Sequence, residues 1–324
     1  MQALVVREGG ELVYETHPDP VAGPTEVVVE LRAAAVNRRD LLVRDPPGPA
    51  YAFPLPVVPG SDGAGVRRDT GEEVVIFPSL DWGERDDASG PGFRILGGPD
   101  DGTYAELVKV PAENVFPKPA RLSWHEAAAF PLAGLTAYRA LFARGGLKES
   151  ETVLVLGAGS GVSTFLVSLA CQWGARVLVT SSSDEKLERA RELGADAGVD
   201  YTSGDWVGEV RELTGGAGVD LVVDSVGSTW ADSVRSLRKG GRLVVFGATG
   251  GPSVELDVRG VYLNHQSILG TTMGSPQDFR GLLRSIELGR WAPVIDSVRP
   301  LAEGAAAHER MRSGDQFGKL VLEV

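Results

Sequence analysis

The 324-residue chain has one cysteine and four histidines. A single thiol, Cys171, cannot form an intramolecular disulfide, and it excludes a thiolate-rich metal site. Cys171 lies in an apolar helical stretch, which favours a buried, inert thiol. The histidines stand at positions 17, 125, 265 and 308 without ligand-like spacing. We interpret each of them as a surface or packing residue.

The chain also lacks long hydrophobic runs and an excess of basic residues over acidic ones. No apolar run approaches the roughly 18 residues that cross a bilayer, and the first residues lack the features of a signal peptide. We therefore expect a cytoplasmic protein with no membrane partner. The net charge of −12 argues against nucleic acid as a partner, because phosphate backbones select basic surfaces. The acidity is better explained by solubility.

Glycine and proline are plentiful, at 42 and 20 residues, and are spread along the chain as turn residues. The length exceeds one comfortable hydrophobic core, which predicts two domains. Short apolar or alternating runs between turns fill the first 120 residues and indicate β-structure without a long helix. The polar, glycine-rich segment 81–102 is interpreted as one long surface loop.

The pattern changes near Ser123. Ser123 and Glu126 have the spacing of a capping box, which predicts a helix through about Ala143. Apolar strand-like runs then alternate with helical patterns, as in a parallel sheet covered on both faces. The runs occupy residues 153–156, 176–180, 221–224, 243–246 and 268–271, and the helical patterns include residues 184–193 and 206–213.

In the last part of the chain, the alternation of strand and helix patterns ends. Ser275 and Pro276 are typical of a helix N-cap and first turn, and predict a helix to about Leu288. An apolar run at the end predicts a final strand. We therefore predict an α/β protein in which residues 1–121 and 272–324 form a β-rich domain, and residues 122–271 form an inserted, doubly wound parallel sheet.

A glycine-rich turn joins the first inserted strand to a helix. It comprises Gly157, Gly159, Ser160, Gly161 and Val162. A pyrophosphate needs close approach to bare backbone N–H groups and to the positive end of a helix, which side chains would block. Many strand–helix turns carry glycine and bind nothing. The repeated strand–helix context nevertheless favours a dinucleotide site.

The end of the next strand bears on which dinucleotide binds. A site for NAD usually carries an acidic residue there for the ribose 2′-hydroxyl, whereas this chain has Ser181, Ser182 and Ser183, with Lys186 and Arg189 in the following helix. Hydroxyls and a cation suit a 2′-phosphate, so NADP(H) is predicted. The alternatives are that Ser183 is only a helix N-cap and that Lys186 and Arg189 are solvated surface charges.

Several motifs together resemble the medium-chain dehydrogenase/reductase superfamily over nearly the whole chain. They lie at residues 56–65, 102–106, 133–138, 224–227, 240–247 and 318–322. The resemblance implies a GroES-like β-rich domain plus a Rossmann domain, and cofactor contacts from Thr136 and Lys319. The strand ends Val226–Gly227 and Phe246–Gly247 should also line the cofactor, because such ends face the ligand crevice. Tight strand–helix packing is their alternative explanation.

Zinc-dependent alcohol dehydrogenases of this superfamily place a cysteine at Asn37, a His-Glu pair at Ser61 and Asp62, and another cysteine near Leu132. A catalytic zinc needs three protein ligands, and none of the usual ones is present here. Segment 81–102 also lacks the four cysteines of a structural zinc lobe. The resemblance thus implies a metal-free enzyme similar to the zinc-independent quinone oxidoreductase-like reductases, many of which have glycine where this chain has Ser163.

Hydride chemistry without a Lewis acid favours an electron-poor acceptor, either a quinone or an α,β-unsaturated carbonyl. The resemblance places Asn37 and Asp40 near the nicotinamide and makes Tyr51 a candidate proton donor. Asn37 and Asp40 could instead only bond loop backbone, and Tyr51 could be a wall residue. We predict an NADPH-dependent quinone or enone reductase, with an alcohol dehydrogenase or carbonyl reductase, or a non-catalytic NADPH-binding protein, as alternatives. The resemblance also implies a homodimer paired through residues 267–271.

Overall fold

The computed structural model describes residues 1–289 and 291–324. The strands, in chain order, are β1 Gln2–Val6, β2 Leu12–Thr16, β3 Glu26–Ala35, β4 Asp62–Arg67, β5 Glu73–Ile76, β6 Ser79–Leu80, β7 Arg94–Ile95, β8 Leu107–Pro111, β9 Val115–Pro117, β10 Thr152–Val155, β11 Arg176–Ser181, β12 Ala197–Asp200, β13 Val219–Asp224, β14 Leu237–Val245, β15 Ser267–Gly270, β16 Ile295–Pro300 and β17 Lys319–Glu323. The α-helices are α1 Arg38–Arg44, α2 Trp124–Ala129, α3 Pro131–Tyr138, α4 Gly161–Gln172, α5 Asp184–Glu192, α6 Trp206–Leu213, α7 Trp230–Ser236, α8 Val258–Leu263, α9 Pro276–Leu288 and α10 Gly304–Ser313.

The chain divides into two compact units. The first unit comprises Met1–Leu135 and Gly274–Val324, and the second unit comprises Thr136–Met273. Both boundaries lie beyond the predicted ones at 121/122 and 271/272. The reason is packing: α2 lies against β3 and β4, and the Phe130 ring that follows it stacks on Phe279 of α9, with centroids 6.1 Å apart.

The first unit is built on a mixed sheet in the order β16-β17-β3-β4-β5-β9, with β8 also paired to β3. Its pairs are antiparallel except β16–β17, which run parallel. Alternate residues of β3 point into the core, where Val27, Val29 and Leu31 pack with Val74 and Ile76. This period of two is the one that a half-buried strand requires. The predicted β-rich, GroES-like domain is confirmed.

The second unit is a six-stranded parallel sheet in the order β12-β11-β10-β13-β14-β15. Numbered within the unit, the strands follow the order 3-2-1-4-5-6, which defines a doubly wound Rossmann sheet. The predicted strands and helices all appear within one or two residues, apart from an earlier start of β14. The switch point of the winding falls between β10 and β13, where the connections that follow the two neighbouring strands lead to opposite faces of the sheet.

The predicted helix from Ser123 to Ala143 is wrong in its length. The capping box is present, since the Ser123 hydroxyl accepts from the Glu126 N–H and the Glu126 carboxylate accepts from the Ser123 N–H. However, α2 ends at Ala129, and Pro131, which has no N–H to donate, begins α3. A π-helical segment, Arg139–Arg144, follows.

Two further differences lie in the first unit. Segment 81–102 is not a continuous surface loop, because β7 pairs with β6 and the side chains of Trp82 and Leu96 are buried. The short helix α1 was not predicted, although Asn37 and Asp40 have the spacing of a helix cap. Helix α9, in contrast, runs as predicted from Pro276 to Leu288 behind the N-cap Ser275. Among the described helices, none has the length and apolar character of a membrane span.

Candidate functional site

The glycine-rich turn leads from β10 into α4 in the second unit. Gly157 and Gly159 have φ angles of +74° and +100°, a region that L side chains rarely adopt. A Cβ added to Gly157 would meet no atom within 4 Å, so the space beside it is open. Thr180, at the end of β11, holds the turn: its hydroxyl accepts from the Gly157 N–H at 3.2 Å, and its carbonyl from the Ala158 N–H at 2.7 Å.

The next backbone donors of the turn are uncommitted. The N–H groups of Gly159, Gly161 and Val162 have no acceptor within the described part of the chain. They lie at the N-terminus of the 12-residue helix α4, where the helix dipole favours negative charge. Open space, bare backbone donors and a helix N-terminus together form an anion cradle of the kind that binds a pyrophosphate. The residues present therefore fit a dinucleotide.

The serines of this turn serve the helix itself. The Ser160 hydroxyl accepts from the Ser163 N–H at 3.1 Å and so caps α4. The Ser163 hydroxyl donates to the Ser160 carbonyl at 2.9 Å and is buried. A serine at position 163 is therefore accommodated by a local hydrogen bond.

The three serines at the end of β11 are not equivalent. Ser181 is buried, and its hydroxyl accepts from the Ser183 N–H at 3.1 Å. The Ser183 hydroxyl accepts from the Lys186 N–H at 3.3 Å, which is the N-cap arrangement that the sequence left as an alternative. Ser182 is exposed. Of the three hydroxyls, Ser182 is the one that the fold leaves open to a ligand.

The remaining predicted cofactor residues of the sheet follow the neighbouring strands. Val226 and Gly227 come after β13, and Phe246 and Gly247 come after β14. Because β11, β10, β13 and β14 are consecutive neighbours in the parallel sheet, their carboxyl ends share one edge with the glycine-rich turn. Thr136 lies outside this edge, in α3, and is buried.

A second polar cluster lies inside the first unit. Lys319 begins β17 with only 1% of its surface exposed, and its ammonium donates to Asn37 Oδ1 at 2.7 Å and to Asp62 Oδ2 at 2.9 Å. Asn37 Nδ2 donates to the same Asp62 oxygen at 2.9 Å. The other Asp62 oxygen accepts from the Leu132 N–H at 2.6 Å. A buried ion pair thus joins β3, β4, α3 and β17.

Asp40 is bonded next to this pair but not to it. Its Oδ2 accepts from the Asn37 N–H at 2.8 Å and from the Tyr104 hydroxyl at 2.7 Å, whereas Oδ1 has no partner within the described residues. Burial raises the pKa of Asp40 to about 6, against hydrogen bonds from Tyr104 and Asn37 that lower it. Asp40 therefore bonds backbone at the start of α1, which is the alternative that the sequence left open for it. Its side chain is fully buried.

The Tyr104 ring contacts another buried titratable group. His308 of α10 meets it edge to face, with centroids 5.8 Å apart. His308 is fully buried, and neither ring nitrogen has a hydrogen-bond partner among the described residues. Burial, followed by the charges of Arg44 and Arg312, lowers the pKa of His308 to about 4. The interpretation of this histidine as a packing residue fits its burial and its contact with the Tyr104 ring.

Tyr51 stands apart from both clusters. It ends the 3₁₀ helix Pro49–Tyr51, and its hydroxyl has no hydrogen bond to the described residues. Near it, the Arg39 guanidinium lies over the Phe53 ring at 5.6 Å and donates to a run of loop carbonyls, the shortest of these bonds being 2.6 Å to Gly98. Burial lowers the pKa of Arg39. This clamp holds segment 95–98 in place without a metal ligand.

Comparison with known proteins agrees with both units. The model of the alcohol dehydrogenase GroES-like domain matches residues 23–120, and that of the zinc-binding dehydrogenase matches residues 161–287. A zinc-type alcohol dehydrogenase-like protein of Schizosaccharomyces pombe is 37% identical over 93% of this chain and 91% of its own length. The chain belongs to the medium-chain dehydrogenase/reductase superfamily.

Other members of the superfamily resemble the whole chain. The quinone oxidoreductase of Mus musculus is 30% identical and covers 99% of this chain and 97% of its own. The crystal structure of an NAD-dependent alcohol dehydrogenase superposes with a TM-score of 0.91 at 40% identity, with 100% of both chains covered. The family is one of oxidoreductases, and the protein is therefore an oxidoreductase by membership.

The zinc implied by one family model does not fit the residues in this chain. The Asn37 side-chain oxygen accepts from Lys319, and its nitrogen donates to Asp62. The Ser61 hydroxyl donates to the Leu96 carbonyl at 2.7 Å. The ammonium of Lys319 already lies against the oxygens that would have to face a metal. Within residues 1–289 and 291–324, no group of three His, Cys, Asp or Glu residues could hold an ion.

Sequence reasoning missed three residues of these clusters. Thr180 holds the glycine-rich turn, and Tyr104 holds Asp40. Asp62 was noted only because it stands where zinc-dependent relatives have a zinc ligand pair. Thr180 lies near the carboxyl end of an apolar strand, which faces the ligand edge in a parallel sheet, and this could have indicated it. Tyr104 and Asp62 lie in motifs of the superfamily resemblance, but no local pattern indicates their partners, which are far away in the sequence.

Proposed function

We propose that this protein is a metal-independent, NADP(H)-dependent oxidoreductase that transfers hydride to a quinone or an α,β-unsaturated carbonyl. The observation that carries the proposal is the anion cradle of the second unit, with its three uncommitted N–H groups at Gly159, Gly161 and Val162. A bound nicotinamide supplies the hydride. The protein then has to hold the dinucleotide, orient the acceptor and exclude water.

The turn provides the binding energy for the dinucleotide. Thr180 fixes the backbone of Gly157 and Ala158, so that the following donors need no rearrangement when a pyrophosphate arrives. Preorganised donors of this kind lose little entropy on binding. Val226, Gly227, Phe246 and Gly247 extend the proposed site along the same edge of the sheet. Thr136 and Lys319 remain proposed contacts on the family resemblance.

The preference for NADP(H) rests on the end of β11. Ser182 presents an exposed hydroxyl, and no carboxylate occupies the strand end itself. The supporting cations are Lys186 and Arg189, one and two turns into α5. Ser181 and Ser183 support the site indirectly, since their hydroxyls shape the first turn of α5.

The acceptor class follows from what lies at the ligand positions of the zinc-dependent relatives. A buried ammonium fixed by Asp62 and Asn37 takes the place of a Lewis acid that could polarise a simple carbonyl. An acceptor that is already electron-poor requires less polarisation. We propose Asn37 and Asp40 as residues that organise this region, and Tyr51, whose hydroxyl is uncommitted, as the proton donor.

A steady-state screen tests the proposal. Oxidation of NADPH and NADH should be followed with quinones, enones and simple aldehydes as acceptors, with and without added zinc. We expect turnover with quinones or enones, unaffected by zinc. Turnover confined to simple aldehydes and stimulated by zinc would contradict the proposal.

The second candidate is an alcohol dehydrogenase or carbonyl reductase. It is favoured by the name of the structural relative, an NAD-dependent alcohol dehydrogenase, at 40% identity. The same screen separates the two, because this candidate turns over simple alcohols and aldehydes. A third outcome, dinucleotide binding without turnover of any acceptor, would identify a non-catalytic NADPH-binding protein.

We also propose a cytoplasmic homodimer acting on a small-molecule substrate, with no nucleic-acid or membrane partner. The dimer proposal rests on β15, the last strand of the parallel sheet, which pairs with β14 on one side. An edge strand presents unpaired N–H and C=O groups that a second copy can pair with. Analytical ultracentrifugation tests it, and a monomer at micromolar concentration would refute it.

A further inference from the structure

Asp224 ends β13 beside the glycine-rich turn. Strands β10 and β13 pair in parallel, with Val155 opposite Val223, and the Leu156 N–H donates to the Val223 carbonyl at 3.2 Å. The next residue on each strand is therefore Leu156 on one side and Asp224 on the other, and Gly157 of the turn follows Leu156 directly. This is the switch point of the doubly wound sheet, where ligands bind.

The Asp224 carboxylate is fully buried and accepts four hydrogen bonds. Its Oδ1 accepts from the N–H groups of Val226 at 2.7 Å and Gly227 at 3.3 Å. Its Oδ2 accepts from the hydroxyls of Thr229 at 2.7 Å and Ser233 at 2.8 Å. No lysine or arginine of the described residues pairs with it. A buried charge without a counter-ion is expensive unless donors satisfy it, and these four do.

The loop that Asp224 organises supports a second loop. The Thr249 N–H donates to the Ser225 carbonyl at 3.2 Å, and the Gly250 N–H to the Val226 carbonyl at 2.7 Å. Gly227 has a φ of +90°, and a Cβ there would lie 2.3 Å from the Gly251 carbonyl oxygen. We call residues 225–229 and 246–251 together the two-loop platform. The carboxylate fixes its first loop, and the first loop fixes the second.

We propose that Asp224 is a positioning residue that sets the two-loop platform for the nicotinamide half of the dinucleotide. The inference rests on the proposed function. In a doubly wound sheet the two halves of a dinucleotide lie on the two sides of the switch point. In this proposal the adenosine half binds on the side of β11 and its serines. The nicotinamide half then binds on the side of β13 and β14, where the platform lies.

The platform also offers donors to a polar ligand. The backbone N–H groups of Gly247 and Ala248 have no acceptor within the described residues, and both residues are exposed. A carboxamide is a group that such donors bind. Asp224 itself touches no ligand in this scheme, because it is covered by the loop that it organises.

The test compares Asp224→Ala with Ser233→Ala. Both variants remove hydrogen bonds of the same carboxylate, but Ser233 lies in α7, outside the platform. Dissociation constants are measured by calorimetry for the dinucleotide that the wild type prefers and for its adenosine half alone, 2′,5′-ADP or 5′-ADP. We expect Asp224→Ala to raise the dissociation constant of the dinucleotide by about tenfold and to leave that of the half-ligand unchanged. Ser233→Ala should change neither.

Asp224→Asn keeps an oxygen acceptor for Val226 and Gly227, but a neutral acceptor binds N–H groups less strongly than a carboxylate. It should therefore raise the dissociation constant of the dinucleotide by about threefold. If Asp224→Ala does not fold, this variant carries the test, and wild-type affinity for the dinucleotide would overturn the proposal.

Equal weakening of both ligands by Asp224→Ala, or the same selective weakening by Ser233→Ala, would show a merely structural role and overturn the inference. Failure of the dinucleotide binding that the proposed function requires looks different. In that case the wild-type protein itself binds neither dinucleotide, and the inference falls with it.

Discussion

The two units build their polar sites in different ways. In the second unit, the anion cradle is made of the backbone of one short turn, and the space beside Gly157 is open. In the first unit, the cluster is made of side chains that lie far apart in the sequence, at Asn37, Asp62 and Lys319, and it is closed to solvent. The first is a site ready for a charged ligand. The second already contains its own counter-charges.

The difference concerns what each site does for stability. Backbone donors at a helix N-terminus have no acceptor within the helix and can be satisfied by water or by a ligand. A buried ammonium and carboxylate have no such freedom, because each loses its hydration and depends on the other. The cradle can therefore be optimised for binding, whereas the buried pair has to be complete for the first unit to keep its stability. The following predictions test this contrast, from the largest expected effect to the smallest.

Removing one member of the buried pair should have the largest effect. Lys319→Met leaves Asp62 as an uncompensated buried charge and should lower the free energy of unfolding by about 3–5 kcal/mol. Adding Asp62→Leu should recover part of this loss. Urea unfolding measures the change. As a control, Arg235→Met breaks the exposed pair with Asp232 and should change stability by less than about 1 kcal/mol. Equal effects of the two single variants would contradict the contrast.

The pH dependence of stability should reveal two opposed groups beside Tyr104. The pKa of Asp40 is raised from 3.8 to about 6, so the folded protein keeps a proton that the unfolded chain releases, and stability falls as the pH rises through this range. The pKa of His308 is lowered from 6.5 to about 4. The unfolded chain then takes up the proton first, and stability falls as the pH drops.

Each of these effects is about 3 kcal/mol at most, and in the wild type they largely cancel. His308→Phe should therefore make stability fall from pH 4 toward pH 7, and Asp40→Asn should make it rise. Urea midpoints measured across this range test the signs. Parallel profiles of both variants and the wild type would show that neither group is buried as described.

Backbone strain at the cradle should be separable from loss of binding. Gly157→Ala places a Cβ in the open space beside the turn, at a φ of +74°. Gly174→Ala imposes the same conformation at a φ of +83°, at the end of α4 and away from the cradle. Both should lower stability by about 1–2 kcal/mol. Only Gly157→Ala should weaken dinucleotide binding, by about tenfold. Equal affinities of the two variants would refute the cradle.

The smallest expected effect concerns cofactor choice. Ser182→Asp places a carboxylate at the exposed end of β11, where it repels a 2′-phosphate and accepts a ribose hydroxyl. The preference for NADPH over NADH should fall by about tenfold, or roughly 1.4 kcal/mol. Ser182→Asn, which lacks the charge, is the matched control. Thermal-shift titration with both dinucleotides measures the ratio. A wild type stabilised more by NADH than by NADPH would contradict the serine argument.

Much of the second unit was predictable because its signals are local. A strand of consecutive apolar residues, a turn that requires glycine and a helix cap are each encoded within a few residues. The boundary at Leu135 and the break at Pro131 were not predicted, because they depend on α2 packing on the sheet of the first unit. Ser183 shows the same limit, since its role as the N-cap of α5, which the sequence offered as an alternative, was decided only by its bond to the Lys186 N–H.

The sequence by itself determined the composition class, the alternation of strands and helices in the second unit, and the turn from Gly157 to Val162. These follow from hydrophobic period and backbone conformation, which act over short distances. Only the tertiary structure decided that Lys319 meets Asp62 and Asn37, that Asp40 meets Tyr104, and that Asp224 holds the platform loops. Buried charges choose their partners by proximity in the fold, and residues hundreds of positions apart carry no local mark of that choice.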